Sequence, residues 1–513
     1  MEMIAALLLY GVLHAVLYSS LLPLWEGFDE AFHYGYVQEL AVHSRFPVNN
    51  RATVSDEIWL SLHLVPVSHV VAQDRPSLTS FSQHFEAPPE ERARRRSALE
   101  ALPRALRASN TRGAANYEAQ QAPLAYLLLA PFDRLWAEAS LPSRIWRLRL
   151  LCSIVSVVTL GLATWTLGGK LDLPSGYRQA AVLLVLSTQM VYAAAAHVAN
   201  DWLSIPLAPL LFLAALRFDE RRDTRSASLL AITLSAGLLA KAYFLAFAPF
   251  TFGLVAWRNR RSLAVFAAIA GLCAGPWYLR NWMLYGNISG LQPSVASIDG
   301  GTLAGSFLAV PWPSALAAAA RSSLWLANGS FSTFSATTLN LALLALGAGL
   351  VLWVRSALRR PPEAAEWIVI AGSAIYGAVL VYAIATFYVL SRHAATGATP
   401  WYSPALFPGL FCLALSGLAR SGKVGRAILG LMLCLWTYIA GATYFAKLIP
   451  MYAGFGAQAR PAALLDLYLH RRGPLFASLA FTTMIPPPAV VALAVLAAAA
   501  AVALSVRVFH ASR

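Results

Sequence analysis

The chain has 513 residues, 58% of them hydrophobic and only 12% charged, with a mean hydropathy of +0.58. So few charges in so long a chain exclude an ordinary water-soluble enzyme and point to an all-α polytopic membrane protein. The net charge of +15 does not argue for a nucleic-acid partner, because Lys and Arg of membrane proteins gather in cytoplasmic loops beside anionic headgroups.

Residues 3–24 are almost wholly apolar and long enough to cross a bilayer. They lack a basic leading region and a small-residue cleavage site, so they read as a retained helix rather than a signal peptide. Directly after them, the stretch Trp25 to His33 presents Asp29, Glu30 and His33. Carboxylates are costly at a membrane boundary and there suggest function; the plainer alternative is a solvated, acidic helix start. Residues 25–120 form a large first outer region, with a charged run from Glu90 to Arg96 that reads as a solvated face. Residues 120–137 look helical but hold Pro123 and Pro131, which predicts a half-inserted or juxtamembrane helix on the outer face rather than a span.

Basic clusters then recur at Arg217–Arg225, Arg258–Arg261, Arg355–Arg360, Arg420–Arg426 and Arg507–Arg513. The positive-inside rule assigns all five to the cytoplasm. Spans are then expected near 147–168, 176–199, 201–218, 226–241, 243–257, 262–280, 337–355, 365–390, 402–419, 425–446 and 486–508, about twelve with the first. Both termini are cytoplasmic on this reading, and Asp29 lies outside. The hairpin within 226–257 leaves about sixteen residues per arm, near the lower limit for a span, with Lys241 at its turn. Cys152, Cys273, Cys412 and Cys434 lie in apolar segments without metal spacing. The sequence carries no internal repeat, dinucleotide loop, phosphate loop or zinc signature.

The topology gathers one set of polar residues at the outer helix ends: Asp29, Glu30, His33, Glu118, Gln120, Gln121, Asn200, Asp201, Lys241, Arg280, Asn281, Arg392 and His393. Each has a plain reading. Asn200 and Asp201 can cap a helix. Arg280 can snorkel among Trp277, Tyr278 and Trp282, and Arg392 and His393 can belong to a loop. Together, carboxylates and cations on one face suit a site that deprotonates a hydroxyl and holds an anionic phosphate.

Five pieces then fall in a familiar order: Phe28–His33, Tyr117–Tyr126, Asn200–Leu203, Gly237–Lys241 and Pro276–Gly286. They resemble the GT-C superfamily of integral-membrane glycosyltransferases, most closely bacterial relatives of protein O-mannosyltransferases and lipid A aminoarabinose transferases. The chain departs from that pattern in lacking both prolines around the Asp-Glu pair. Trp401 also stands where the family has Arg in the segment Pro400–Pro408.

The resemblance implies a GT-C-like architecture. Residues 1–286 would be the catalytic module, including outer loop 25–120; residues 287–513 would be C-terminal helices with outer loops near 287–336 and 447–485. It implies transfer of a sugar from a polyprenyl-phosphate-linked donor to an acceptor hydroxyl on a glycan, lipid or protein, with inversion. The site would face outward from the cytoplasmic (inner) membrane of a bacterium. Asp29 would be the general base, with Glu30 beside it in a role left open. His33, Glu118 and Asp201 would shape the acceptor pocket and its charge, and Lys241, Arg280 and Arg392 would hold the donor phosphate. Some relatives use a divalent metal; Mg or Mn stays open here, with no ligand set assigned. Two other readings stand beside this one: a transporter or flippase for a lipid-linked sugar, and a non-catalytic lipid-binding protein. Charges at helix ends and the lack of a repeat count against the first. The missing prolines and Trp401 leave the second open.

Overall fold

Apolar chain in hydrocarbon must satisfy its own backbone groups, and this one does so with helices. The computed structural model describes residues 2–68, 71–72, 75, 77–288, 297–330, 332–393, 400–456 and 460–512. In chain order, α1 (Glu2–Leu21) is followed by α2 (Glu30–His43), and the first outer segment runs through α3 (Asp56–Leu64), α4 (Pro89–Glu100) and α5 (Leu124–Leu135). Next come α6 (Leu141–Lys170), α7 (Ser175–Ser187), α8 (Gln189–Ala195), α9 (Asp201–Arg221), α10 (Thr224–Ala240), α11 (Phe247–Arg258) and α12 (Arg260–Tyr285). The remainder holds α13 (Gly300–Ala309), α14 (Trp312–Leu324), α15 (Ala336–Ala357), α16 (Ala364–Leu390), α17 (Phe407–Ala419), α18 (Gly422–Ala442) and α19 (Pro487–Ala511).

α1 packs against α6, α7 and the last helix α19. α9 packs against α6, α10 and the 3-10 turn Pro400–Leu406. α15 lies on α17 so closely that a Cβ on Gly417 would stand 2.3 Å from the carbonyl oxygen of Gly349, the small-residue contact typical of membrane helices.

Among the described residues, nine helices are long and apolar enough to cross a bilayer, or ten if α13 and α14, which meet at 90°, count as one. The expected number was about twelve, and the difference has local causes. The span expected at 176–199 breaks at Thr188, whose backbone is extended (φ −81°, ψ 115°), and helix ends at Ala195. The Tyr192 hydroxyl donates to the carbonyl of Leu186 at 2.6 Å beside this break. Trp436 donates to the Thr188 hydroxyl at 2.9 Å. The expected span 243–257 begins as a 3-10 turn, Ala242–Ala246, and leaves α11 only 12 residues. The region 281–336, expected as an outer loop, carries the bent pair α13–α14, a broken span or re-entrant hairpin. α5 has 12 residues with Pro131 inside; at 1.5 Å per residue it covers about 18 Å, short of the roughly 30 Å hydrocarbon core.

A buried ionic network fastens the first outer segment to α6. Arg144 of α6 donates to Glu57 of α3, and to the Tyr34 hydroxyl of α2 at 2.6 Å. That hydroxyl donates onward to Asp133 of α5 at 2.8 Å, and Arg107 closes on the same carboxylate at 2.5 Å. Removing one member of such a network leaves the others charged and desolvated. Arg144→Met is therefore expected to destabilise the protein by about 3–5 kcal/mol, read as the unfolding transition in detergent. A loss under about 1 kcal/mol, the scale of an exposed pair, would show that the network does not anchor this segment.

Candidate functional site

The site begins where α1 stops. Arg149 of α6 is fully buried and donates to the carbonyls of Leu22 and Pro23 at 2.5 and 2.8 Å. It also grips Glu30 with two bonds, 2.7 Å to one oxygen and 2.5 Å to the other. The first of these oxygens accepts the Val198 N–H at 3.0 Å as well. One guanidinium thus ties the end of α1, the start of α2 and the turn before α9. The two oxygens of Glu30 are both engaged, so it positions its neighbours and has no lone carboxylate edge to offer a substrate.

Asp29 is set differently. It holds the N-cap position of α2 in the left-handed region (φ 54°, ψ 19°), yet its side chain makes no capping bond. The carboxylate turns outward and accepts the Tyr117 hydroxyl at 2.5 Å. It keeps accessible surface although protein surrounds it, as a residue in a concave recess does. That surrounding raises its pKa above the ordinary carboxylate value, with Asp201 adding to the rise; Tyr117, His197 and Lys241 oppose it.

Glu118 faces the same recess, and burial first, then the charge of Asp29, lifts it to about 8. The shift favours its protonated form, which can donate a proton or a hydrogen bond. Gln121 donates to it at 2.8 Å and accepts from Asn200 at 3.1 Å. His33 lies 3.7 Å from Glu118 and shares a 2.8 Å hydrogen bond with the Tyr126 hydroxyl. Burial, with Lys241 and His197 adding, lowers the pKa of His33, so its contact with Glu118 is between neutral groups.

Asp201 opens α9 and meets Lys241 from the end of α10 at 2.5 Å, both side chains buried. The ammonium also lies 4.9 Å from the centre of the Tyr402 ring, a cation–π contact. Trp401 packs on Phe28 at 4.8 Å. The C-terminal half thus walls the recess with aromatics at the position where the resemblance anticipated an arginine.

Asp29, His33, Glu118, Asp201 and Lys241 are brought together. Arg280 is not among the cluster's contacts: it donates to the carbonyl of Pro47 at 2.9 Å and stacks on Trp277 at 4.7 Å. Arg392 is exposed in the turn after α16. Among the described residues, no group of three His, Cys, Asp or Glu side chains stands at metal-holding spacing.

Three residues of this region escaped sequence reasoning. His197 is fully buried, electrostatically between Glu30 and Asp201, and among the described residues neither ring nitrogen has a partner. Burial holds its pKa below the ordinary value. It seats against Gly27, where a Cβ would come within 2.5 Å of the His197 Cβ. A lone imidazole in the alanine-rich run before Asn200 and Asp201 was its only signal. Arg75 lies over the Phe32 ring at 5.1 Å and acts on Tyr117. Glu26 is buried; one oxygen accepts the Ser330 N–H at 2.9 Å and the Tyr452 hydroxyl at 3.5 Å, while the other has no partner among the described residues.

No family model matches the chain, and no curated protein matches it. Among solved structures, a crystal structure of ArnT from Cupriavidus metallidurans bound to undecaprenyl phosphate is 14% identical, with a TM-score of 0.41; the match covers 88% of this chain and 75% of that one. The apo state of the same protein is 12% identical, with a TM-score of 0.39, covering 88% and 74%.

Burial raises Glu26 from 4.5 to about 8. An acid whose pKa rises on folding contributes stability that is whole below its unfolded value and is lost as pH climbs toward the folded one. Stability against thermal unfolding in detergent is thus expected to fall between about pH 4.5 and 8 by on the order of a few kcal/mol. Glu26→Gln, which mimics the neutral acid, should shrink that decline; the same decline in both proteins would assign it elsewhere.

Proposed function

We propose that this integral membrane protein is a GT-C-type glycosyltransferase that moves a sugar from a polyprenyl-phosphate donor to an acceptor hydroxyl. The site would lie on the extracytoplasmic side of the inner membrane. The observation that carries this reading is one juxtaposition: an accessible Asp29, a buried Glu118 whose pKa is raised and a buried Lys241 share a recess at the ends of membrane helices. Beside it lies an apolar groove of about 300 Å³, walled by Leu316, Leu343, Leu380, Ile384 and Phe407. Ser403 lines this groove next to Tyr402, the ring beneath Lys241. A donor with an isoprenoid tail, a phosphate and a sugar needs an apolar groove, a cation and a base in that order.

In the mechanism we infer, Asp29 takes the acceptor proton, and the acceptor oxygen attacks the anomeric carbon from the face opposite the phosphate. The bond from that carbon to the phosphate oxygen breaks, the electron pair leaves on the phosphate, and the configuration inverts. Lys241, oriented by Asp201, answers the charge that grows on the leaving phosphate. Tyr117 fixes the Asp29 carboxylate, and Glu118 offers a hydrogen bond to the acceptor or its sugar ring.

Asp29→Asn is expected to lower sugar transfer by about 10²–10⁴-fold, the usual range for a general base, with the purified protein still folded. Glu118→Gln mimics the protonated form and is expected to cost far less. Both are read by transfer from a polyprenyl-phosphate sugar in detergent. Full activity in Asp29→Asn rules out this base, and transport of the lipid-linked sugar without transfer favours the flippase reading.

A further inference from the structure

A sizeable groove among the described residues lies away from the carboxylate recess. It is a groove of about 660 Å³ between α6, α9 and α10, walled by Leu207, Leu210 and Leu213 of α9 and by Leu229 and Ile232 of α10. Its rim is formed by Lys170, Arg217, Glu220 and Arg221. α9 carries Asp201 at one end and Arg221 at the other, 21 residues in all. At 1.5 Å per residue the rim stands about 30 Å from the recess, the thickness of a hydrocarbon core.

The charges at this rim do not cancel. Glu220 is taken by Lys170 at 2.7 Å. Asp219 of α9 pairs with Arg258 at 2.5 Å, and Asp223 caps α10 by accepting the Ser226 N–H at 2.7 Å while its charge still acts on Arg217 and Arg221. Arg217 and Arg221 are four residues apart on one face of α9, and both are exposed. They therefore present two guanidiniums, only partly offset by Asp223, at the mouth of an apolar trough. Water suits the mouth but not the walls, and hydrocarbon suits the walls but not the mouth. A neutral lipid leaves the arginines unanswered, and a soluble phosphate leaves the leucines bare.

We propose that this groove binds one anionic phospholipid, its phosphate on Arg217 and Arg221 and its acyl chains along α9 and α10. The occupant comes from the leaflet opposite the carboxylate recess, so it is distinct from the polyprenyl-phosphate donor. The charge complementarity is bidentate-capable, since two guanidiniums can share one phosphate.

The test is native mass spectrometry of the full-length, delipidated protein, titrated with phosphatidylglycerol or phosphatidylcholine. Phosphatidylglycerol is expected to bind the wild type more tightly. Arg217→Gln and Arg221→Gln should weaken it about fivefold each, the loss expected for one basic residue facing an anionic lipid, and should leave phosphatidylcholine unchanged. Ala236→Leu, which narrows the groove without touching a charge, should weaken phosphatidylglycerol as well, and glycerol phosphate should not compete. Equal binding of the two lipids, undiminished phosphatidylglycerol affinity in the double arginine variant or in Ala236→Leu, or competition by glycerol phosphate would each overturn the proposal. None of these readouts depends on sugar transfer.

Discussion

The contact on which the site depends is Arg149 against Glu30. A charged pair with no exposed surface on either side chain is an expensive device, and this one is bound to two carbonyls and a backbone N–H as well. Those bonds fix where the first membrane helix ends and where the next begins. Asp29 lies between these fixed points, and its left-handed backbone is tolerable only because both flanks are held. Glu30 thus serves the adjacent residue: its own two oxygens are committed to the scaffold, while Asp29 is held by the Tyr117 hydroxyl at one oxygen and keeps the other for the recess.

Around that anchor the recess is built from groups in unlike protonation states. Glu118, His33 and His197 are each held toward their neutral forms, and Lys241 faces Asp201. Unlike neighbouring groups are what acid–base chemistry needs, since one acid must hold its proton while another gives its up. Lys241 is buried with the Tyr402 ring against its ammonium, and the low-dielectric surroundings strengthen its field.

Much of this architecture was legible in the sequence. The long apolar runs located most of the membrane helices, because the bilayer leaves an isolated apolar segment few alternatives. The pair of prolines at 123 and 131 marked a short helix. Where reading failed, tertiary contacts had overridden local pattern. Nothing local marks Thr188 as a break, since its stability comes from Trp436, far along the chain. Nothing in the sequence separates Arg280 from Lys241 as a cation; only the fold turns one toward Pro47 and the other toward Asp201. His197 was missed because a single imidazole in an alanine run carries no period and no spacing.

The last helix touches the first, and the backbone N–H of Met484 donates to the carbonyl of Ser20 at 2.9 Å. Ser330 and Tyr452 likewise close on Glu26, and Tyr402 on Lys241. The loop that carries Asp29 is made first as the chain emerges, yet receives its final contacts from residues made near the end. Glu30 and Asp29 meet Arg149 and Tyr117 within the first 150 residues, whereas Glu26 and Lys241 take their last contacts from Ser330, Tyr452 and Tyr402. A fragment ending near residue 286 would hold the acids without the walls that tune them, so the order of synthesis itself delays the site until the bundle is complete.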